Sequence, residues 1–175
     1  MTALLHRTAR RYPRQMPILG LGLLLLIPRG PPVPGLLWNS SHSVPVGLYW
    51  LTPRQPKFAE LAVILLPDPF RSFGDTRGYL PAGMLLIKPT VARVGDVVCR
   101  IGPLVTVQGR SLAYARPTDR LGRPLPHWRG CSRLAAGNLF VLSAHPDSFD
   151  SRYFGLVERR NVVGTATAVL PADAK

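Results

Sequence analysis

The sequence predicts a mainly β fold, a barrel or sandwich, preceded by one N-terminal apolar segment. Three observations carry this. First, 19 prolines and 16 glycines in 175 residues cut the chain into short pieces and argue against a helical bundle. Second, the apolar runs beyond residue 39 are of strand length and have turn signals between them. Third, no stretch after the first apolar segment has helical periodicity. The length supports one domain of ordinary size, and an apolar fraction of 46% suffices for a core.

Charge is spread unevenly. The net charge is +13, and Arg7, Arg10, Arg11, Arg14, Arg29, Arg54 and Lys57 all precede the first acidic residue, Glu60, so this front part carries +7 and the remainder +6. Such a balance raises the question of nucleic acid. No zinc-ligand spacing, RNA-binding aromatic motif or helix-turn-helix pattern accompanies it, so nucleic acid is an unlikely partner. Four arginines ahead of an apolar run instead orient a membrane segment with its positive end in the cytoplasm. Residues 16–28 (MPILGLGLLLLIP) are apolar or glycine. That is short of the roughly 20 residues a span needs. With Arg29 snorkelling to the interface, residues 16–38 make a membrane anchor or uncleaved signal. The expected organisation is a basic cytoplasmic terminus at 1–15, the anchor at 16–38 and an extracytoplasmic domain at 39–175. A cleaved secretory signal is the alternative. A retained anchor is favoured because no small-x-small cleavage site follows.

The remaining elements follow in order. Residues 58–66 (FAELAVILL) read as a buried strand. Residues 67–83 are turn-rich and read as a long loop or insertion. Residues 84–88 (MLLIK) form a second strand with Lys88 at its end. Residues 97–101 and 104–107 are two strands joined through Gly102 and Pro103. Residues 110–137 are polar and read as an extended excursion. Residues 138–143 (NLFVLS) form a strand, and 162–170 the last one. Cys99 and Cys131 are the two cysteines. In an extracytoplasmic domain they are a disulfide candidate, worth roughly 3–4 kcal/mol. Two free buried thiols are the alternative.

Two stretches carry candidate chemistry. In residues 39–49 (NSSHSVPVGLY) the hydroxyls lie among turn-forming residues just ahead of Pro45, which favours an extended backbone before it. His42 is adjacent to Ser43 and in an extended chain points to the opposite side. Cleaving a peptide bond needs a nucleophile, a base and donors for the oxyanion. A serine and a lysine can supply the first two. The lysine must be neutral, so its free pKa of about 10.4 must fall, and burial among apolar groups lowers it. Lys88 follows four apolar residues and fits that need; a strand-end lysine with its head in water is the common alternative. Residues 143–155 (SAHPDSFDSRYFG) supply hydroxyls and carboxylates that can orient a buried ammonium.

Taken together, three blocks resemble the type I signal peptidase superfamily and, within it, the conjugative-transfer (TraF-type) branch. They are SHSVPVGLY at 41–49, LLIKPTVARVGD at 85–96 and SFDSRYFG at 148–155. The resemblance implies a signal-peptidase-like β catalytic domain at the outer face of the bacterial inner membrane, in the periplasm, with no cofactor and no metal. It makes Ser43 the nucleophile and Lys88 the general base. Ser41 becomes a side-chain oxyanion donor beside the Ser43 N–H, Ser148 a hydrogen-bond partner of the lysine, and Asp150 a support acting through Arg152. Three departures stand out, the first being an anchor that is short and single. Ser143, Ala144 and His145 occupy the place of a more usual Gly-Asp-Asn, and Pro89 follows the lysine directly.

The implied function is a membrane-anchored serine endopeptidase. Its partners would be exported precursors with small residues at the cleavage site, in particular pilin-like subunits of a type IV secretion system. The same acyl intermediate attacked by an amine would make the protein a peptide cyclase. A non-enzymatic assembly subunit and a basic protein touching transferred DNA are the readings from other classes.

Overall fold

The computed structural model describes residues 35–171. The basic terminus and most of the expected anchor therefore lie outside the described residues. Among the described residues, no helix is long and apolar enough to cross a membrane. Leu36–Asn39 form strand β1, so the last positions assigned to the anchor, residues 36–38, are paired in a sheet.

Two antiparallel sheets build the fold. The first contains β1, β2 (Gly47–Thr52), β3 (Leu61–Leu65), β4 (Leu85–Pro89) and β9 (Val162–Pro171), in the order β1-β2-β9-β3-β4. The second contains β5 (Val97–Ile101), β6 (Leu104–Val107), β7 (Arg110–Tyr114) and β8 (Gly130–Arg133), in the order β7-β6-β5-β8. This is the mainly β architecture that the short apolar runs predict.

β3 is apolar throughout because both of its faces are covered. Val63 packs with Val44, Tyr49, Leu51, Ile87 and Ala166, whereas Ala62 and Ile64 pack with Leu66, Val141, Phe154 and Val157. Beside it, Gly164 of β9 lets the chain approach β2 closely, since a Cβ there would sit 2.4 Å from the Thr52 carbonyl oxygen. A third cluster, with Val98, Val105, Leu134, Phe140 and Leu142, fills the second sheet's inner face.

Four expectations need correction. The turn-rich stretch 67–83 contains a short helix, α1 (Phe70–Thr76); at seven residues it is too brief to show a period. The polar excursion 110–137 contains β7 and β8, and these are the two edges of the second sheet. Their residues are almost all exposed, so backbone pairing holds them without an apolar face to announce them. Residues 138–143 are not a regular strand. Leu139 and Val141 make isolated bridges to Val157 and Thr90. Leu139 and Val141 enter one core cluster and Phe140 and Leu142 the other, so the segment's period of two stitches two cores together. Finally, residues 42 and 43 lie in a turn, not an extended run.

Cys99 and Cys131 face each other across β5 and β8. Their sulfurs are bonded at 2.07 Å.

Candidate active site

Lys88 lies in β4, an edge strand of the first sheet, opposite Ala62 of β3. An edge strand tolerates the missing N–H of Pro89. The Lys88 side chain runs inward and is only 2% exposed. Its Nζ donates to Ser43 Oγ at 2.5 Å and to Ser148 Oγ at 2.8 Å. The two hydroxyl oxygens are 3.5 Å apart. Three residues from three separate blocks of sequence thus meet around one nitrogen. Burial lowers the Lys88 ammonium from 10.5 to about 8; Asp150 pulls the other way, and Arg152 adds to the lowering. The cause is the one that the apolar flank of Lys88 anticipates.

Ser43 sits on the loop between β1 and β2, and that loop is tied down from inside. Asn39, buried at the end of β1, donates through Nδ2 to the carbonyls of Ser41, Val44 and Pro45 at 2.8, 3.1 and 3.0 Å. Its Oδ1 accepts from the Ser41 N–H and the Ser41 hydroxyl. One amide side chain therefore organises the turn that carries Ser43. The Ser41 hydroxyl lines the same cavity as Ser43 and Lys88, but its proton goes to Asn39 at 2.8 Å. Tyr49 adds a 2.6 Å bond from its hydroxyl to the Pro45 carbonyl.

A second network supports the loop from behind. Asp150 is fully buried and caps the single-turn helix α2 (Ser151–Phe154) by accepting from the Arg152 N–H. Its carboxylate also accepts from Arg152 Nε at 2.8 Å and from the Ser143 N–H at 3.0 Å. The Arg152 guanidinium continues to the carbonyls of Ser143 and Pro146. The Ser143 hydroxyl then donates to the Ser43 carbonyl at 2.5 Å. Asp150 and Arg152 therefore reach Ser43 through Ser143.

Every residue singled out from the sequence is drawn into this one region except the cysteine pair, which lies in the second sheet. Asn39 and Ser143 were missed as functional positions. Both are short polar residues whose role depends on burial; Ser143 entered only as one hydroxyl of the 143–155 segment and as a departure from a familiar pattern. His145 contributes to the loop through local bonds: its N–H donates to Ser143 Oγ, and its Nδ1 accepts from the Asp147 N–H.

The site opens into a cavity of about 1020 Å³. One wall is aromatic: Phe149 and Tyr153 line it with ring centroids 5.6 Å apart, and Phe149 also stacks on Phe73 at 6.0 Å. The rim is charged, with Arg116 and Arg120 both on Asp147, and Arg123 and the Tyr79 hydroxyl on Asp119. A buried amine against a hydroxyl, beside a groove large enough for a peptide, can form and release an acyl group.

Known proteins resemble this chain over most of its length. The profile of the family described as "Signal peptidase, peptidase S26" matches residues 14–170. A plasmid transfer protein TraF from Escherichia coli is 33% identical over 171 residues, covering 90% of this chain and 94% of that protein. A second protein of that name from the same species is 32% identical over 87% of this chain and 92% of its own length. A conjugal transfer protein TraF from Agrobacterium fabrum is 31% identical, covering 87% of this chain and 94% of its own. Among solved structures, a signal peptidase I from Enterococcus faecalis aligns at 21% identity with a TM-score of 0.38, covering 66% of this chain and all of that one.

Proposed function

We propose that this chain, which belongs to the signal peptidase family, peptidase S26, is a serine endopeptidase in which Ser43 is the nucleophile and Lys88 the general base. The observation that carries the reading is the buried Lys88 amine on the Ser43 hydroxyl. With its pKa brought to about 8, a useful fraction of the amine is neutral near neutral pH. Ser148 holds one N–H of that amine, which leaves the nitrogen lone pair for the Ser43 proton.

In the reaction Ser43 Oγ attacks the scissile carbonyl carbon while Lys88 takes the hydroxyl proton. The Ser43 N–H receives the oxyanion. Ser41 is the second donor, and its hydroxyl turns from Asn39 to serve. Lys88 then passes its proton to the departing amine, the C–N bond breaks and an ester remains on Ser43. Water, deprotonated by Lys88, cleaves the ester and restores both residues. Attack by an amine in place of water would join two peptide ends through the same ester.

The substrate we assign is an exported precursor cut after small residues. The printed names of the relatives, plasmid and conjugal transfer proteins, support a pilin-like subunit of a conjugative secretion apparatus as that precursor. We place the enzyme at the bacterial inner membrane with its β domain in the periplasm, on the strength of the basic, apolar N-terminal sequence and the cross-strand disulfide.

The test uses the full chain in detergent with a pilin-type precursor, followed by intact mass. Ser43→Ala and Lys88→Ala, both folded, are expected to lose about 10³-fold or more in rate. A product lighter than the precursor by the released peptide less one water indicates hydrolysis; one lighter by the whole released peptide indicates ring closure. Processing by Ser43→Ala at the wild-type rate would overturn the assignment.

A further inference from the structure

The charged rim of the cavity contains a cation that the catalytic reading does not use. Arg77 follows α1 as its C-terminal cap, and its backbone N–H donates to the Phe73 carbonyl at 3.1 Å. Its guanidinium lies over the Phe73 ring, 4.8 Å from the centroid, and the residue lines the same cavity as Ser43 and Lys88. Among the described residues, Arg77 Nη1 is the buried side-chain nitrogen or oxygen with no hydrogen-bond partner. A buried guanidinium N–H left unpaired is costly, and a charged acceptor offsets that cost best.

No carboxylate of the rim is free to serve it. Asp119 accepts from the Tyr79 hydroxyl at 2.5 Å and from Arg123 Nε at 2.7 Å, as well as from the N–H groups of Leu121 and Arg123. Asp147 is held by Arg116 on one oxygen and Arg120 on the other. Those bonds hold both carboxyls below the usual carboxylate range, so they stay ionised. Four arginines against two aspartates leave this side of the cavity with two positive charges. An unfilled donor on a cationic wall, with an aromatic ring to hold its plane, suits a carboxylate.

We propose that Arg77 is a specificity-determining residue that binds a carboxylate of the peptide lying in the cavity. This rests on the peptidase reading of the site and names a chemical class for its substrate. The carboxylate has two possible sources, an acidic side chain near the scissile bond and the free C-terminus of the segment being cut. Both present the same two oxygens to the guanidinium.

The experiment separates the sources, and it separates this proposal from the peptidase reading. A peptide spanning the small-residue junction of a pilin-type precursor is made in three forms: unmodified, C-terminally amidated, and with every Asp and Glu replaced by Asn and Gln. Binding of each to full-length Ser43→Ala protein in detergent is measured by calorimetry, with and without Arg77→Gln. Cleavage by proteins with Ser43 intact is followed separately. One neutralised form is expected to bind about tenfold or more weakly than the unmodified peptide, and that form identifies the source. Arg77→Gln is expected to weaken the unmodified peptide by the same factor and to leave the weakened form unchanged. In cleavage the loss falls on KM more than on kcat. Equal binding of all three forms, or an undiminished carboxylate preference in a folded Arg77→Gln protein, overturns the proposal even if cleavage proceeds. An Arg77-dependent preference without cleavage of any precursor upholds it and removes the peptidase reading instead.

Discussion

The two sheets are held together by different means. The first sheet carries Lys88 on its edge strand β4 and the Ser43 loop between β1 and β2. Its central strands are mainly apolar, and the polar groups that enter its interior have partners: Lys88 on Ser43 and Ser148, Thr90 and Thr165 on backbone carbonyls, and the networks around Asn39 and Asp150. The second sheet is apolar on its inner face alone, and its edges β7 and β8 are almost wholly exposed. There, ladder bonds and one covalent link do what burial does in the first sheet. Chemistry needs the first arrangement. A lysine can be kept near neutrality only where water is excluded, and a serine can be aimed only where its backbone is pinned.

The sharpest way to break this comparison is to remove one member of a buried network. Asp150→Ala leaves Arg152 buried and uncompensated and frees the Ser143 N–H. We expect a loss of about 3–5 kcal/mol in unfolding free energy, read from urea denaturation, together with loss of processing. An equal loss from cutting the covalent link in the second sheet is not expected. Cys131→Ser should cost about 2–4 kcal/mol, and acylation of Ser43 by a small activated ester should proceed at the wild-type rate. A strong effect on acylation would mean that the two sheets share more than a core.

Lys88 sharpens the comparison from the other direction, because the proposed general base is a buried charge that works against stability. Its pKa is about 8 in the folded chain against an ordinary 10.5. Between those values the unfolded chain holds a proton that the folded chain has lost, so stability rises with pH across that window and the full cost of the buried charge is present below it. Lys88→Met should abolish the rise and should be the more stable protein at pH 7. Lost bonds to Ser43 and Ser148 offset part of the gain, leaving about 1–3 kcal/mol. The check is denaturation of both proteins at pH 7 and at pH 10.

These differences also explain what could be read from the sequence. β3, β4, β5 and β6 are visible because burial selects their side chains. The meeting of Ser43, Lys88 and Ser148 is what the resemblance of three sequence blocks to the signal peptidase superfamily implies. β7 and β8 are invisible because an edge strand needs only backbone partners. Residues 138–143 have a strand's alternation without a strand's ladder, since each face belongs to a different core. Asn39 looks like any loop amide until its bonds to three carbonyls are counted. Arg77 looks like one arginine among many until its neighbours' carboxylates are found occupied.

The central claim is that burial readies Lys88 to take the Ser43 proton. It is tested most directly by titrating the Lys88 side chain in the full chain in detergent, using lysine labelled with carbon-13 at Cε and Lys88→Met to assign the signal. A midpoint near pH 8 is the result predicted. A midpoint at the ordinary lysine value near 10.5 would contradict the account, because the amine would then be charged and unable to accept the proton from Ser43.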